Sequence, residues 1–376
     1  MRKIALIGST GSIGKQVLSV VNNNPDKFKI VSLAGGESSE LLLEQVKKFN
    51  PLVATLKNEV CVSEFSKTQF SFGENAFIDA IIDEADVVIV ALVGFKGILA
   101  VLNAIKKGKN IALANKESLV VGGHLVSELQ QMTGVNIVPI DSEHSAVFQA
   151  LNFDFNKPFK KIILTASGGA FRDLPLEKLD EVTVLDALNH PNWSMGKKIT
   201  VDCATMVNKA FEVVEAHWLY NAPYDKIDVV MHRESIVHSM VEFCDNSVIA
   251  QMSYPSMELP IQLALTYPDR YESSLKSLDF STLNTLTFGK MDKKRYPCFD
   301  LVLEGIKQGG AYPAVVNGAN DMAVELFIKG IISYKDIYKC IDGAISSFNL
   351  NLGDDIDSLI KANDFAQNYV KQKFGV

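Results

Sequence analysis

The chain has 376 residues, with 37 Lys and Arg against 44 Asp and Glu, a formal net charge of -7 and a pI near 5.5. That balance argues against a nucleic acid or an anionic membrane as the main partner, and the length allows two or three domains with separate cores. Five scattered cysteines without a CxxC exclude a disulfide framework or a zinc site and fit a reducing cytosol.

The N-terminal Met1-Arg2-Lys3 and apolar Ile4–Ile7 have the outline of a signal peptide. The apolar core is only four residues long and runs into a glycine-rich turn, so no targeting segment is expected and the location is read as cytoplasmic. The longer apolar run at 87–95 is about half the length of a membrane-crossing helix, so no membrane partner is expected either.

From 1 to 141 strand-like and helix-like segments alternate. Strands are expected at Ile4–Ile7, Ile30–Leu33, Val53–Leu56, Val87–Ala91, Ile111–Ala114 and Ile137–Ile140, and helices at Val17–Val21, Leu41–Phe49, Ile98–Lys106 and Leu119–Met132. This is the α/β pattern of a mostly parallel, Rossmann-like sheet covered on both faces. The turn after the first strand reads Gly8-Ser9-Thr10-Gly11-Ser12-Ile13-Gly14 and opens a helix. Glycines there let the backbone approach a pyrophosphate, and the helix N-terminus favours its charge. The spacing is GxxGxxG, and its position between strand and helix favours dinucleotide binding over a plain tight turn.

The last strand of this pattern is followed by Asp141-Ser142-Glu143. Ligands of such sheets lie beyond the carboxyl ends of the strands, and two carboxylates there can take a hard cation and a substrate hydroxyl. A polar loop has the same appearance.

The segment 142–266 is read as an α+β catalytic and connective domain. It contains a strand at Ile162–Thr165, a small-residue turn at Ser167-Gly168-Gly169, a loop from His190 to Gly196, a helix at Thr205–Tyr220 and a hairpin of Ile236–Phe243 with Val248–Met252 around Asp245-Asn246. On the helix, Asn208, Glu212 and Glu215 share a face beside Lys209, which suits metal plus phosphate binding; an ordinary solvated helix face shows the same spacing. The serine turn can bind phosphate through hydroxyl and N–H groups. His190 can donate to a substrate oxygen, and Trp193 and Met195, bracketed by Pro191 and Gly196, can form a lid. His232 and His238, in strand-like runs, read as structural. Residues 267–298 lack periodicity and suggest a linker arm. Residues 299–376 show helical periodicity broken at Gly309-Gly310, Gly330 and Gly353, as in a C-terminal helical bundle.

The stretches GSTGSIG at 8–14, ALANKESLV at 112–120, DSEHSA at 141–146, SGGAFR at 167–172, HPNWSMGKKITVD at 190–202, ATMVNKAFEVVEAHW at 204–218 and HSMVEF at 238–243 together resemble the 1-deoxy-D-xylulose 5-phosphate reductoisomerases. The resemblance runs through nearly the whole chain. It implies rearrangement of the ketose phosphate and reduction by NADPH to 2-C-methyl-D-erythritol 4-phosphate in non-mevalonate isoprenoid biosynthesis, in a homodimer, with Mn²⁺, Mg²⁺ or Co²⁺ as the cation.

Residue by residue, it implies metal ligation by Asp141, Glu143 and Glu212 and a substrate-hydroxyl contact by Ser142. A phosphate cradle of Ser167, Asn208 and Lys209 is implied, with Cys203 where the family has serine. His190 and Trp193 would contact the substrate from the closing loop, with Met195 beside them. Catalysis would rest on Asp141, Glu143, Glu212, His190 and Lys209. On the cofactor side it implies Gly8, Thr10, Gly11, Ser12 and Ile13 at the pyrophosphate, Gly36, Glu37 and Ser38 near the 2′-phosphate, and Asn115, Lys116, Glu117 and Gly196 along the cleft. The family carries a Gly-Lys-Asn-like run where this chain has Gly36-Glu37-Ser38, which puts a carboxylate near that phosphate. Three carboxylates suit a hard cation, which would stabilise developing oxyanion charge.

Two other functions compete. A phosphorylating aldehyde dehydrogenase would use Cys203 as an acyl nucleophile, with a histidine base and no metal. A cofactor-sensing protein would bind without turnover.

Overall fold

The protein is described by a computed structural model covering residues 1–376. In chain order it contains β1 (Arg2–Ile7), α1 (Ser12–Asn23), β2 (Phe28–Ala34), α2 (Ser39–Phe49), β3 (Val53–Leu56), β4 (Gln69–Phe72), β5 (Val87–Val90), α3 (Gly97–Lys106), β6 (Asn110–Leu113), α4 (Glu117–Thr133), β7 (Ile137–Pro139) and α5 (Ser142–Ala150). There follow β8 (Lys161–Ala166), α6 (Val184–Leu188), α7 (Lys197–Thr205), α8 (Val207–Tyr220), β9 (Ile227–Met231), β10 (Val237–Glu242), β11 (Val248–Met252) and α9 (Glu258–Thr266). Four helices complete the chain: α10 (Pro297–Lys307), α11 (Tyr312–Ile328), α12 (Tyr334–Ser347) and α13 (Ile356–Phe374).

The residues form two compact units, one of 1–118, 124–145 and 257–275, the other of 119–123, 146–256 and 276–376. In the first, seven strands lie in the order β4-β3-β2-β1-β5-β6-β7, every pair parallel. The order reverses between β1 and β5, which makes the carboxyl end of β1 the topological switch point where such sheets bind ligands. The central strands are apolar without alternation (Ile4 to Ile7 and Val88 to Val90 are fully buried), as a sheet covered on both faces requires. The strand β4 was not among those expected. Its Gln69-Phe70-Ser71-Phe72 is a short, half-exposed edge strand with Phe70 stacked on Phe72, too brief to stand out as a pattern.

Helix α9 belongs to this first unit, where it packs on α1, β6 and β7, and the Arg2 guanidinium donates to Leu265 O at 2.5 Å. The compact units therefore divide differently from boundaries drawn along the sequence. Residues 257–275 return to the first sheet because their apolar face (Ile261, Leu263, Ala264, Leu265) is buried there.

The second unit holds a four-stranded sheet ordered β11-β10-β8-β9. Strands β8 and β9 run parallel, while β10 is antiparallel to both β8 and β11. The β10–β11 hairpin turns at Asp245-Asn246, with Asn246 at φ +66° and Asp245 Oδ1 accepting from Ser247 N and Oγ. Within the unit α10 packs on α8, α7 on α11, and α11 on both α12 and α13. Segment 276–296 has almost no regular structure. It is strapped to β9 by a two-bond bridge between Gly289 and Met231 at 2.9 Å and by Phe288 stacked on His232.

The helix expected at Thr205–Tyr220 is two helices. Met206 takes a left-handed conformation (φ +64°), closes α7 through Cys203 O and starts α8. A non-glycine residue there costs on the order of 1–2 kcal/mol, and the break lets α8 begin in a new direction just before Asn208. No helix in the protein is long and apolar enough to cross a membrane.

Candidate active site

In the first unit β1 delivers the chain into the glycine turn. Gly8 sits at φ +96°, and a Cβ on it would lie 2.5 Å from Ala91 O; one on Gly14 would lie 2.2 Å from Gly8 O. Both glycines are therefore demanded by strand–helix packing. Gly11 is different: a Cβ there would come no closer than 3.4 Å to anything, and its φ is -74°. It caps α1 without a side-chain hydrogen bond, which leaves the helix N-terminus with Thr10, Ser12 and Ile13 open to an anion. After β2, Gly36 is open on its Cβ side, Glu37 pairs with Lys57, and the Ser38 side chain does not cap α2.

The segment after β6 is a buried polar knot. The Asn115 amide donates to Leu92 O (3.1 Å), Gly94 O (3.0 Å) and Glu117 Oε2 (2.8 Å), and its oxygen accepts from Ser118 N and Oγ. Asn115 thus shapes the wall after β5 by holding two loop carbonyls, and any residue larger than glycine at 97 would strike it. Lys116 reaches Asp141, its Nζ 2.7 Å from Oδ2, with both side chains about nine-tenths buried.

Asp141 stands at the end of β7 and starts α5, so the sequence Asp141-Ser142-Glu143 is a helix entry rather than a loop. Asp141 Oδ1 accepts from Glu143 N at 3.3 Å, and Ser142 Oγ donates to Glu143 Oε2 at 2.6 Å. Burial by itself would raise the Asp141 carboxyl; Lys116 and His144, with the hydrogen bonds from Lys116 and Glu143, together outweigh it and hold the group well below the usual carboxylate range.

In the second unit Ser167, Gly168 and Gly169 leave β8 in a turn with both glycines left-handed. A Cβ on Gly169 would lie 2.6 Å from Cys203 O, so the turn rests directly on the last turn of α7. Cys203 is half-buried on that helix. Ser167 Oγ lies 2.9 Å from His190 Nε2. His190 Nδ1 accepts from Asn192 N (3.1 Å) and Trp193 N (3.0 Å), which assigns the proton to Nε2 and makes the imidazole the donor to Ser167. Burial, helped by the Arg172 guanidinium, lowers the His190 pKa to about 4, so the ring is neutral at pH 7.

The rest of the 190–196 loop is tied down by Asn192, which donates to Arg233 O and Ser235 Oγ. Trp193 lies edge-on to His238, and His238 Nε2 is 2.9 Å from Ser253 Oγ. Gly196 caps α7, its carbonyl accepting from Thr200. His232 is fully buried, with Nε2 accepting from Ile236 N and Val237 N and Nδ1 facing Thr287 O.

The N-terminal half of α8 carries the acid–base core of this unit. Glu212 is 1 % and Lys209 4 % exposed, and Glu215 is also buried. The solvated-face alternative for this helix is thereby excluded. Glu212 Oε1 accepts from Asn208 Nδ2 at 2.6 Å and Oε2 from Lys209 Nζ at 2.5 Å; Lys209 also donates to Thr165 O at 2.5 Å. An ion pair this deep needs additional hydrogen bonds to offset desolvation, and Asn208 and Thr165 supply them.

Several structural residues carried no sequence signal. Arg172 donates to Ser167 O and Arg233 O, joining the serine turn to the segment after β9. Tyr296 donates to Gly168 O at 2.8 Å, and burial pushes its phenol up to about 12. Asp202, buried on α7, accepts from Lys198 (2.8 Å) and Asn320 (2.9 Å) and so ties α7 to α11. Nothing local marks these roles, because the decisive partners are distant in sequence: Arg233 lies 61 positions from Arg172, Asn320 118 from Asp202 and Gly168 128 from Tyr296.

Three family models match the chain: 1-deoxy-D-xylulose 5-phosphate reductoisomerase over residues 4–123, the reductoisomerase C-terminal domain over 137–220, and a further DXP reductoisomerase C-terminal domain over 252–369. A 1-deoxy-D-xylulose 5-phosphate reductoisomerase of Exiguobacterium sibiricum is 46% identical over 377 residues, covering 98% of each chain. Among solved structures, a DOX-P reductoisomerase in complex with NADPH, fosmidomycin and magnesium is 33% identical with a TM-score of 0.94, covering 100% of this chain and 98% of that one. The Zymomonas mobilis 1-deoxy-D-xylulose 5-phosphate reductoisomerase in complex with NADPH is 34% identical with a TM-score of 0.91, covering 99% of each. With domain models spanning most of its length and near-full-length identity at this level, the chain belongs to the 1-deoxy-D-xylulose 5-phosphate reductoisomerase family.

Proposed function

We propose that the protein converts 1-deoxy-D-xylulose 5-phosphate to 2-C-methyl-D-erythritol 4-phosphate with NADPH and a divalent cation, as a step of non-mevalonate isoprenoid biosynthesis. Family membership supports this reading, and the observation that carries it is the pairing of two of the three acidic groups with a buried lysine: Asp141 with Lys116, Glu212 with Lys209. Carboxylates in a dry setting suit a hard cation. Asp141, Glu143 and Glu212 are the proposed ligands. When bound, the cation supplies Lewis acidity to the ketose oxygens and the nicotinamide supplies hydride.

The chain's own groups bind and orient. The α1 N-terminus takes the pyrophosphate, and Ser142 contacts a substrate hydroxyl. Ser167, Asn208 and Lys209 hold the phosphate, with Cys203 beside them. Neutral His190 donates through Nε2, and Trp193 covers the substrate and excludes water. Asn115 and Glu117 act on the cofactor cleft by shaping the loop after β5. We further propose a homodimer formed through the second sheet, because β11 is an edge strand with Val248 and Ile249 about half exposed. A cytoplasmic location agrees with five free cysteines.

The test is cofactor oxidation followed at 340 nm with 1-deoxy-D-xylulose 5-phosphate, with and without Mn²⁺. Metal-dependent turnover is expected, and Asp141→Asn and Glu143→Gln should abolish it while nucleotide binding persists. Full activity in chelator would instead favour the Cys203 acyl-transfer chemistry.

A further inference from the structure

Four charged side chains follow the ends of successive strands in the first unit. Glu37 comes after β2, Lys57 directly after β3, Glu74 after β4 and Lys96 after β5. They form one row of ion pairs. Lys57 Nζ lies 3.1 Å from Glu37 Oε1 and 3.4 Å from Glu74 Oε2, and Lys96 pairs with the other Glu74 oxygen. Backbone bonds fix the row: Gly35 N donates to Thr55 O at 2.9 Å, Lys57 N to Gly36 O at 3.3 Å, and Gly73 N to Lys57 O at 3.1 Å. All four side chains are exposed, so the pairs add little to stability. Their alignment calls for another explanation.

In a doubly wound sheet the adenosine ribose lies past the second strand. An acid there accepts from a ribose 2′-hydroxyl, and a nearby cation accommodates a 2′-phosphate. This chain has both, and they hold each other. Building on the cofactor reading above, we propose that Lys57 is the cation that takes the 2′-phosphate, with Glu37 as its resting counter-ion. The pair then sets the choice between NADPH and NADH. The phosphate, with close to two negative charges, displaces the Glu37 carboxylate from Lys57; with NADH, Glu37 turns to the 2′-hydroxyl instead. Ser38, whose side chain does not cap α2, offers its hydroxyl to the same phosphate, and Gly36 leaves open space beside it. A shared cation implies a preference for NADPH that is real but modest.

The experiment measures dissociation constants of NADPH and NADH on the full-length protein without substrate, by nucleotide fluorescence. Lys57→Met should weaken NADPH about tenfold, as expected for one lost charge contact in partly screened surroundings, and leave NADH within about twofold. Glu37→Gln and Glu37→Lys should move the ratio the other way, and all these differences should shrink as salt is raised. An unchanged NADPH-to-NADH ratio in Lys57→Met overturns the assignment while leaving the cofactor reading intact. A wild-type protein that binds neither nucleotide overturns both.

Discussion

Removing the charge of Glu212 tests whether its pairing and its proposed ligand role can be separated. In Glu212→Gln the carboxamide oxygen can still accept from Asn208, but the new N–H groups face the Lys209 ammonium, which Glu212 Oε2 now meets at 2.5 Å. Lys209 would keep Thr165 O and lose its carboxylate at a site where it is 4 % exposed. Breaking a buried pair from one side costs about 3–5 kcal/mol. At roughly 2–4 °C per kcal/mol for a domain of a few hundred residues, the unfolding midpoint should fall by about 6–20 °C. The double variant Lys209→Met, Glu212→Gln removes both charges and should recover most of that loss, because a neutral pair of similar volume is not penalised. Turnover should be abolished in both. Thermal unfolding in chelator reads the first effect and cofactor oxidation at 340 nm with Mn²⁺ the second. A single variant as stable as wild type, or a double variant no better than the single, refutes the energetic reasoning; near wild-type turnover in either refutes the ligand role.

Four further outcomes follow from the geometry. His190 titrates at about 4 in the folded protein against 6.5 when free, so the unfolded chain binds more protons between these values and stability is lost as pH falls from about 6.5 to 4. The limit is about 3 kcal/mol, reduced to roughly 1–2 because the ring keeps solvent contact; His190→Gln should flatten the midpoint-versus-pH curve, and an unaltered curve contradicts the assignment. Gly14→Ala should destabilise by more than about 2 kcal/mol because its Cβ meets Gly8 O at 2.2 Å, whereas Gly11→Ala should fold normally yet bind NADPH at least tenfold more weakly; equal effects of the two on unfolding and binding would undo that distinction. Adding 1-deoxy-D-xylulose 5-phosphate with Mg²⁺, without nucleotide, to a Trp218→Phe protein should change the emission of Trp193, and no change would count against a closing loop. Sedimentation at micromolar concentration should show a dimer, and a monomer removes the β11 interface.

Much of the fold was legible because its signals are local. Apolar runs such as Ile4–Ile7 and Val87–Val90, short and bounded by turn residues, fit strands buried on both faces, and Gly8-Ser9-Thr10-Gly11 fits a tight turn between a strand and a helix. The residue types of Asp141-Ser142-Glu143 and Asn208-Lys209 with Glu212 suited chemistry before any coordinates, but a polar loop and a solvated helix face carry the same residues at the same spacing. What the sequence could not decide was environment. Periodicity puts Glu212 on a helix face but cannot say whether that face meets water; packing buried it.

Nor does a helical pattern reveal a single left-handed residue, since Met206 has ordinary helix propensity and only the surrounding packing imposes its conformation. Partners distant in sequence were equally silent: Lys116 with Asp141, Lys57 with Glu37, Asp202 with Asn320. Charge pairing depends on distance in space, and a chain read residue by residue contains no distances. Helix α9 makes the same point at a larger scale. Its apolar residues required burial, and only the folded sheet determined that they would return across more than a hundred intervening positions to the first unit.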